Sequence, residues 1–283
     1  MIHVLVPTDF SENSYNALRY ATELFKEERC TFHILNAFQT SASNLDSMRN
    51  KERGTRLYQS IKGASQKDLG NVIDRIAEEE QNREHSFKTI SKADSLANAI
   101  GKSVLDLSIR FICMGTHGAS GLKSVFLGSN TVDIIRKIDF CPIVAVPSNY
   151  SFTLPNTILF ATGFEHVYDK YELRPMLQLA KLWKSKIRIL HLKDYEKESP
   201  QKATAKKTLT HRLGKVPFEM VELEKKDKIA NQIGTQVEEN GTIGMVAIID
   251  YWHSFIEKLT HEPVVKNVAF QTKVPLLVLP LPK

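Results

Sequence analysis

Apolar and polar positions along this chain switch period in blocks: short continuous apolar runs give way to stripes spaced three and four apart. Ile2-His-Val-Leu-Val-Pro is the first run, closed by Thr8-Asp9-Phe10-Ser11, which reads as a strand entering a helix cap. Ala17, Leu18, Ala21, Leu24 and Phe25 then share one stripe, predicting a helix from about Ser11 to Glu28. Thr31 to Phe38 reads as a second strand, and a long polar stretch follows from Gln39 to about Gly70, with a helix running on to Arg83. Ser86–Ser91 is the third strand, Ala93 to about Leu107 the third helix and Arg110–Met114 the fourth strand. A glycine-bearing loop from Gly115 to Gly128 leads into a helix over Asn130–Lys137, and Pro142–Pro147 is the last strand. Strands alternating with helices predict a parallel α/β sheet with right-handed crossovers.

The second half repeats the first. Thr8-Asp9-Phe10 lines up with Thr162-Gly163-Phe164, and Phe32–Ala37 with Ile187–Leu192. Ala97–Gly101 matches Ala230–Gly234, and Cys141–Pro147 matches Val274–Pro280. The offset falls from 154–155 to 133, so the second copy is shorter by about 21 residues, lost where the first has its long polar stretch. The Pro, Ser, Asn and Tyr composition of Ser148–Pro155 suits a linker, which divides the chain into residues 1–148 and 155–283.

With 42% apolar and 25% charged residues in 283, the chain is globular in composition and long enough for two ordinary domains. No window reaches the ~18–20 consecutive apolar residues of a membrane span. The opening segment lacks a basic n-region and a small-residue cleavage site. Cys30, Cys113 and Cys141 form neither a C-x-x-C pair nor an even set, and two of them sit inside apolar runs and read as reduced core packing, so the sequons at Asn149 and Asn240 carry no weight. The expectation is a cytoplasmic protein. The net charge of +6 is uneven: 18 basic against 17 acidic residues up to position 150, and 20 against 15 beyond it. The basic stretch Lys181–Lys215 has few interleaved aromatics, Trp183 and Tyr195, and is interrupted by Asp194, Glu196 and Glu198, so it reads as a solvated face and nucleic acid ranks last among partners.

Chemistry concentrates in Met114-Gly115-Thr-His117-Gly118-Ala-Ser-Gly121-Leu-Lys-Ser-Val-Phe-Leu-Gly128-Ser129-Asn130-Thr131, which follows a buried strand and opens a helix. Glycines there let a backbone approach a ligand, amides opening the helix would point at an anion, and the Ser129 and Thr131 hydroxyls add donors. The composition suits a phosphate cradle, or equally a glycine-rich turn that merely connects strand to helix. It is neither a Walker A loop, whose glycines would fall at His117 and Leu122, nor the dinucleotide pattern G-x-G-x-x-G.

Two residues separate Gly115 from Gly118, nine more lead to Gly128, and Ser129 follows. This spacing resembles the nucleotide-binding signature of the universal stress protein family. Val6–Ser11 is similar to the family's opening strand with its nucleotide-contacting aspartate, and Ile112–Gly115 and Cys141–Val146 to its fourth and fifth strands. The resemblance covers nearly all of residues 1–147 and, more weakly, 156–281. It implies two tandem five-stranded parallel-sheet domains, Rossmann-like and akin to the adenine nucleotide alpha hydrolases, packed as an internal pseudo-dimer through Ile143–Val146 and Leu276–Leu279. It also implies ATP or AMP in the first domain, with Mg2+ accompanying a triphosphate, although no dedicated metal-ligand set is visible. Pro7, Thr8 and Asp9 would bind the nucleotide, with Asp9 facing ribose and adenine, and the Ala37 backbone would read the adenine edge. Met114, Gly115 and Gly118 would line ribose and phosphates, and Gly128, Ser129, Asn130 and Thr131 would hold the phosphate tail. His117 is either a phosphate contact or a solvent-facing loop residue. Asp9 is either a ligand carboxylate or an Asx cap of the first helix; because Ser11 can fill the cap, the ligand role is favoured.

The second copy departs from this pattern. Gly163 replaces the aspartate, Asp250-Tyr-Trp-His253 follows the strand Met245–Ile249 where a glycine loop should stand, and His261-Glu262-Pro263 replaces Gly128-Ser129. An acidic side chain and a proline there oppose anion binding. Tyr251, Trp252, His253 and Phe255 line either an apolar pocket or partner surface, or a loop over the sheet edge. No G-x-S-x-G elbow or H-E-x-x-H pair occurs, and no general base stands beside the loop. Three functions are therefore expected in order: a stress-response nucleotide sensor acting on a protein partner, a slow ATPase in the same cleft, and an interaction module using the second domain. Homodimerisation is compatible with each.

Overall fold

A computed structural model describes residues 1–39, 51–116, 128–148, 150–164, 166–193, 199–224, 226, 229–249 and 273–281. The first half runs β1 (Ile2–Pro7), α1 (Glu12–Leu24), β2 (Cys30–Phe38), α2 (Lys51–Glu79), β3 (His85–Ala93), α3 (Leu96–Asp106), β4 (Phe111–Gly115), α4 (Ser129–Lys137) and β5 (Ile143–Val146). The second repeats it as β6 (Thr157–Ala161), α5 (Lys170–Leu182), β7 (Lys186–Lys193), α6 (Pro200–Leu213), β8 (Phe218–Glu224), α7 (Ile229–Glu239), β9 (Ile243–Ile249) and β10 (Leu276–Leu279).

All ten strands form one sheet in the order β3-β2-β1-β4-β5-β10-β9-β6-β7-β8. Pairing within each half is parallel, and the halves join where β10 runs antiparallel to β5, with Leu277 opposite Val144. Both joining strands are buried along their whole length. The expected pair of five-stranded sheets joined through their last strands is therefore present. An antiparallel seam turns the two halves end for end, so the carboxyl ends of one set of strands lie beside the amino ends of the other.

Alternation along each strand feeds two cores. Val4 and Val6, Phe111 and Cys113, Ile158 and Phe160, and Leu277 and Leu279 face the layer of α1, α2, α5 and α6. Leu5, Ile112 and Met114, Leu159, and Leu276 and Val278 face α3, α4 and α7. Each core runs unbroken across the seam. Helix caps follow local chemistry: the Ser11, Ser95 and Ser199 side chains accept from amides three residues on, and Asp169 with Glu172 completes a capping box. Pro175 lies inside α5, where its missing N–H forgoes a bond to the Tyr171 carbonyl.

The polar stretch after β2 is helical from Lys51 and 29 residues long, with Leu69 and Ile76 buried against the sheet. Its counterpart α6 has 14 residues, so shortening this crossover accounts for most of the difference in length between the copies. All three cysteines are free and buried, one more than the two expected in the core, and burial raises their thiol pKa values, to about 12 for Cys30 and Cys141. Among the described residues no helix is long and apolar enough to cross a membrane.

Candidate functional site

Strand order reverses between β1 and β4: the chain leaves β1 toward β2 and β3, then returns to β1's other side. Crossover helices on opposite faces leave a crevice at the carboxyl ends of these strands, which is where ligands enter open α/β sheets. Pro7 ends β1 and Thr8 and Asp9 follow it, Ala37 lies near the end of β2, and Met114 and Gly115 end β4. Gly128 to Thr131 open α4 on the same side. The fold thus brings to one crevice ten of the twelve residues expected to bind; His117 and Gly118 lie outside the described residues.

The turn after β1 is held by its own side chains. Thr8 Oγ1 accepts from the Phe10 amide at 3.0 Å and pairs with Ser14 Oγ at 2.9 Å. Phe10 consequently adopts φ +65°, a conformation that bulky residues rarely take without such support. Asp9 is exposed, and its Oδ1 accepts from the Ser11 amide at 3.2 Å and the Ser11 hydroxyl at 2.5 Å. The Ser11 hydroxyl in turn accepts from the Ser14 amide at 3.2 Å. Ser11 therefore caps α1, and Asp9 stands two residues before the cap.

Three polar residues that the sequence reading did not select fix this turn from behind. Buried Asn36 donates through Nδ2 to the Thr8 carbonyl at 2.9 Å and accepts from Ser65 Oγ at 2.8 Å, which also pairs with Ser91 Oγ at 2.8 Å. The network ties β1, β2, α2 and β3 together beneath the crevice. The signal available was an asparagine inside an apolar strand, since a buried amide must find partners.

On the β4 side, the Thr116 amide donates to the Val146 carbonyl at 2.9 Å, and the Gly128 amide to the Thr116 carbonyl at 2.6 Å. Residues 116 and 128 are thereby fastened together at the base of the glycine-bearing segment. Buried Thr131 donates its hydroxyl to the Gly115 carbonyl at 3.0 Å, with the Thr116 carbonyl at 3.3 Å, so it anchors α4 to the end of β4. Ser129 and Asn130 are exposed. Gly128 stands at the N-cap with φ −63° and has no side chain to occupy the first-turn amides, and no acidic residue lies in that turn. With no side-chain cap bond from position 128, the opening of α4 suits an anion meeting its N–H dipoles. Gly115 has a different reason to be glycine: a Cβ there would stand 2.5 Å from Asn13 Nδ2 and 3.1 Å from the Asn13 carbonyl, so its smallness lets α1 approach β4.

The family model of the universal stress proteins matches residues 1–147, just over half of the chain. The chain belongs to the universal stress protein family. A universal stress protein of Methanocaldococcus jannaschii, MJ0577, is 27% identical over 143 residues, covering 47% of this chain and 88% of that protein. A universal stress protein from Archaeoglobus fulgidus superposes with a TM-score of 0.63 at 17% identity, covering 98% of both chains. One described as a putative universal stress protein from Pseudomonas aeruginosa gives 0.59 at 14% identity, covering 98% of this chain and 92% of that one. At these identities the superpositions show the fold, and they extend it over the second half, beyond the family match.

In this universal stress protein the second half keeps the turn and changes its contents. Thr162 Oγ1 accepts from the Phe164 amide at 3.0 Å, and Phe164 has φ +56°, repeating Thr8 and Phe10. His191 takes the place of Asn36, donating from Nδ1 to the Thr162 carbonyl at 3.1 Å. Tyr168 takes the place of Ser14, its hydroxyl on Thr162 Oγ1, and Phe164 packs on the His191 ring at 4.8 Å. Large side chains thus occupy positions that are small and polar in the first half. The Tyr251–Phe255 and His261-Glu262-Pro263 features lie outside the described residues. Among the described residues no group of three or more His, Cys, Asp or Glu is placed to hold a metal.

Proposed function

We propose that residues 1–148 form a nucleotide-binding domain holding ATP or AMP between the ends of β1, β2 and β4 and the amino end of α4. The observation that carries this reading is the uncapped opening of α4 at Gly128, held at the strand-order reversal beside exposed Asp9. In this arrangement the α4 amides and the Ser129 and Asn130 side chains face the phosphates. Asp9 accepts from the ribose hydroxyls, and the Ala37 backbone faces the adenine. Magnesium bound with a triphosphate would be held through the phosphates, because no protein ligand set stands there among the described residues. Residues 155–283 form a degenerate domain in which Tyr168 and His191 stand where the first half has the smaller Ser14 and Asn36. The protein acts in the cytoplasm as a nucleotide-dependent binding module: the bound ligand changes a surface that a protein partner reads.

The test is mass spectrometry of small molecules released by denaturing the purified protein, followed by titration of ATP and AMP. Gly128→Leu is the informative variant, because φ −63° suits any residue and the backbone is not strained. The expected outcome is an adenine nucleotide from the parent and its loss, with binding weakened at least tenfold, from a folded Gly128→Leu protein. A parent that is empty and fails to bind either nucleotide would overturn the reading. Single-turnover incubation with magnesium separates a sensor, which returns ATP intact, from a slow ATPase.

A further inference from the structure

A groove of about 440 Å3 lies between the two halves, at the amino ends of β1 and β4 and therefore at the opposite edge of the sheet from the nucleotide crevice. Arg110, just before β4, forms one wall, and Lys170, Arg174 and Lys181 of α5 form the other. Positions 170, 174, 177, 178 and 181 recur at helical spacing, so α5 turns one continuous stripe to the groove. Among the described residues Glu28 is the one acidic residue in the lining, and Ile2 and Leu177 supply apolar surface.

The charge there is not used by the fold. Lys170 lies 4.8 Å from the ring of its neighbour Tyr171. Among the described residues, Arg110, Arg174 and Lys181 have no ion-pair or ring partner within range. The folded protein holds four cations together without neutralising them, and each would repel the others less with an anion between them. The volume falls in the range of small-molecule sites, roughly 300–1,000 Å3. Two guanidinium forks on opposite walls match phosphate oxygens, and a hydroxyl-bearing body could donate to Glu28.

We infer that this groove between Arg110 and the basic stripe of α5 is a second ligand site, taking a small phosphorylated metabolite whose phosphate lies between Arg110 and Arg174. It assembles only when both halves are in place, because Arg110 and α5 belong to different copies of the repeat. A phosphorylated ligand bound there bridges the halves.

The test uses inorganic pyrophosphate as probe, titrated into the full chain by calorimetry at low ionic strength. Saturable binding is expected, weakened tenfold or more by Arg174→Glu and in the same direction by the milder pair Arg110→Gln with Arg174→Gln. Lys207→Glu makes the same charge change at an exposed α6 position outside the groove and should leave affinity within about twofold. Four results would overturn the assignment: no saturation at millimolar probe, indifference to the groove variants, an equal loss in Lys207→Glu, or a loss in Gly128→Leu instead, which would place the probe at α4. Displacement of pyrophosphate by an oligonucleotide with a steep salt dependence would reassign the groove to nucleic acid and equally overturn it.

Discussion

Gly115 shows how one residue type answers two questions. In sequence it belongs to a glycine spacing associated with nucleotide contact; in the structure it is also the point where α1 crosses the end of β4. A Cβ at 2.5 Å from Asn13 Nδ2 must push the side chain aside, and the Asn13 carbonyl at 3.1 Å limits how far it can go. Gly115→Ala should therefore cost about 1–3 kcal/mol, read as a shift in the urea midpoint, and adding Asn13→Ala should recover much of it because the pair shares one contact. A Gly115→Ala protein as stable as the parent would refute this account. Gly63 and Gly70 provide the contrast, since both lie in α2 with open space where a Cβ would go. Alanine at either should stabilise by about 0.5–1 kcal/mol. Thr131 makes the complementary point: its spacing marked it as a phosphate donor, yet its single hydroxyl proton is directed at the Gly115 and Thr116 carbonyls.

At the scale of elements, β1 and β2 place a pair of imidazoles side by side. His3 Nδ1 and His33 Nε2 are 3.0 Å apart, their rings stacked with centroids at 5.3 Å. His33 is 3% exposed, and burial first, then His3 and Lys88, pushes its pKa down to about 4. The unfolded chain takes up that proton near 6.5, so between pH 6.5 and 4 it binds more protons than the folded one. Stability linked to His33 is thus complete above pH 6.5 and is lost as pH falls toward 4. Glu222, held at about 2 by hydrogen bonds from Lys193 and Lys206, contributes in a lower window, from 4.5 down to 2. The Tm of the parent should fall between pH 7 and 4, while His33→Gln should flatten that part of the profile by at least about 2–4 °C, the worth of 1 kcal/mol in a protein of this size. Parallel profiles would exclude His33 as the cause. The elements themselves were legible wherever apolar runs or stripes were dense. α2 was blurred because Leu69 and Ile76, two turns apart, are its fully buried apolar side chains among the described residues, and much of its remaining contact is polar, such as the paired bonds from Arg75 to Glu12 at 2.6 and 2.9 Å.

Across the whole molecule, the two copies share their interior. The β5–β10 seam continues both cores, Trp183 at the end of α5 donates Nε1–H to the Leu24 carbonyl at 3.0 Å, and Lys26 lies over the Trp183 ring. The connecting segment is packed as well. Tyr150 and Phe152 lie against Tyr20, and Phe152 against Trp183. Gly244 leaves room for Pro155, whose Cα would stand 2.7 Å from a Cβ there. Such continuity predicts one cooperative thermal transition in which calorimetric and van't Hoff enthalpies agree. Two resolved transitions would show that the halves unfold separately and that the seam contributes little.

The strand runs, the helical stripes, the duplication and the glycine spacing are all carried by local order in the chain, because burial on one face imposes a period and a repeated fold imposes a repeated pattern. Those features were enough to reach a tandem universal stress protein with its candidate crevice in the first copy. Local order does not record which strands become neighbours or in which direction. The antiparallel seam, the inward turn of Thr131, the support of Thr8 by Asn36 and Ser65, and the meeting of Arg110 with α5 each depend on residues 15 to more than 100 positions apart. Such contacts arise from closing two cores at once, and no short stretch of sequence contains both partners.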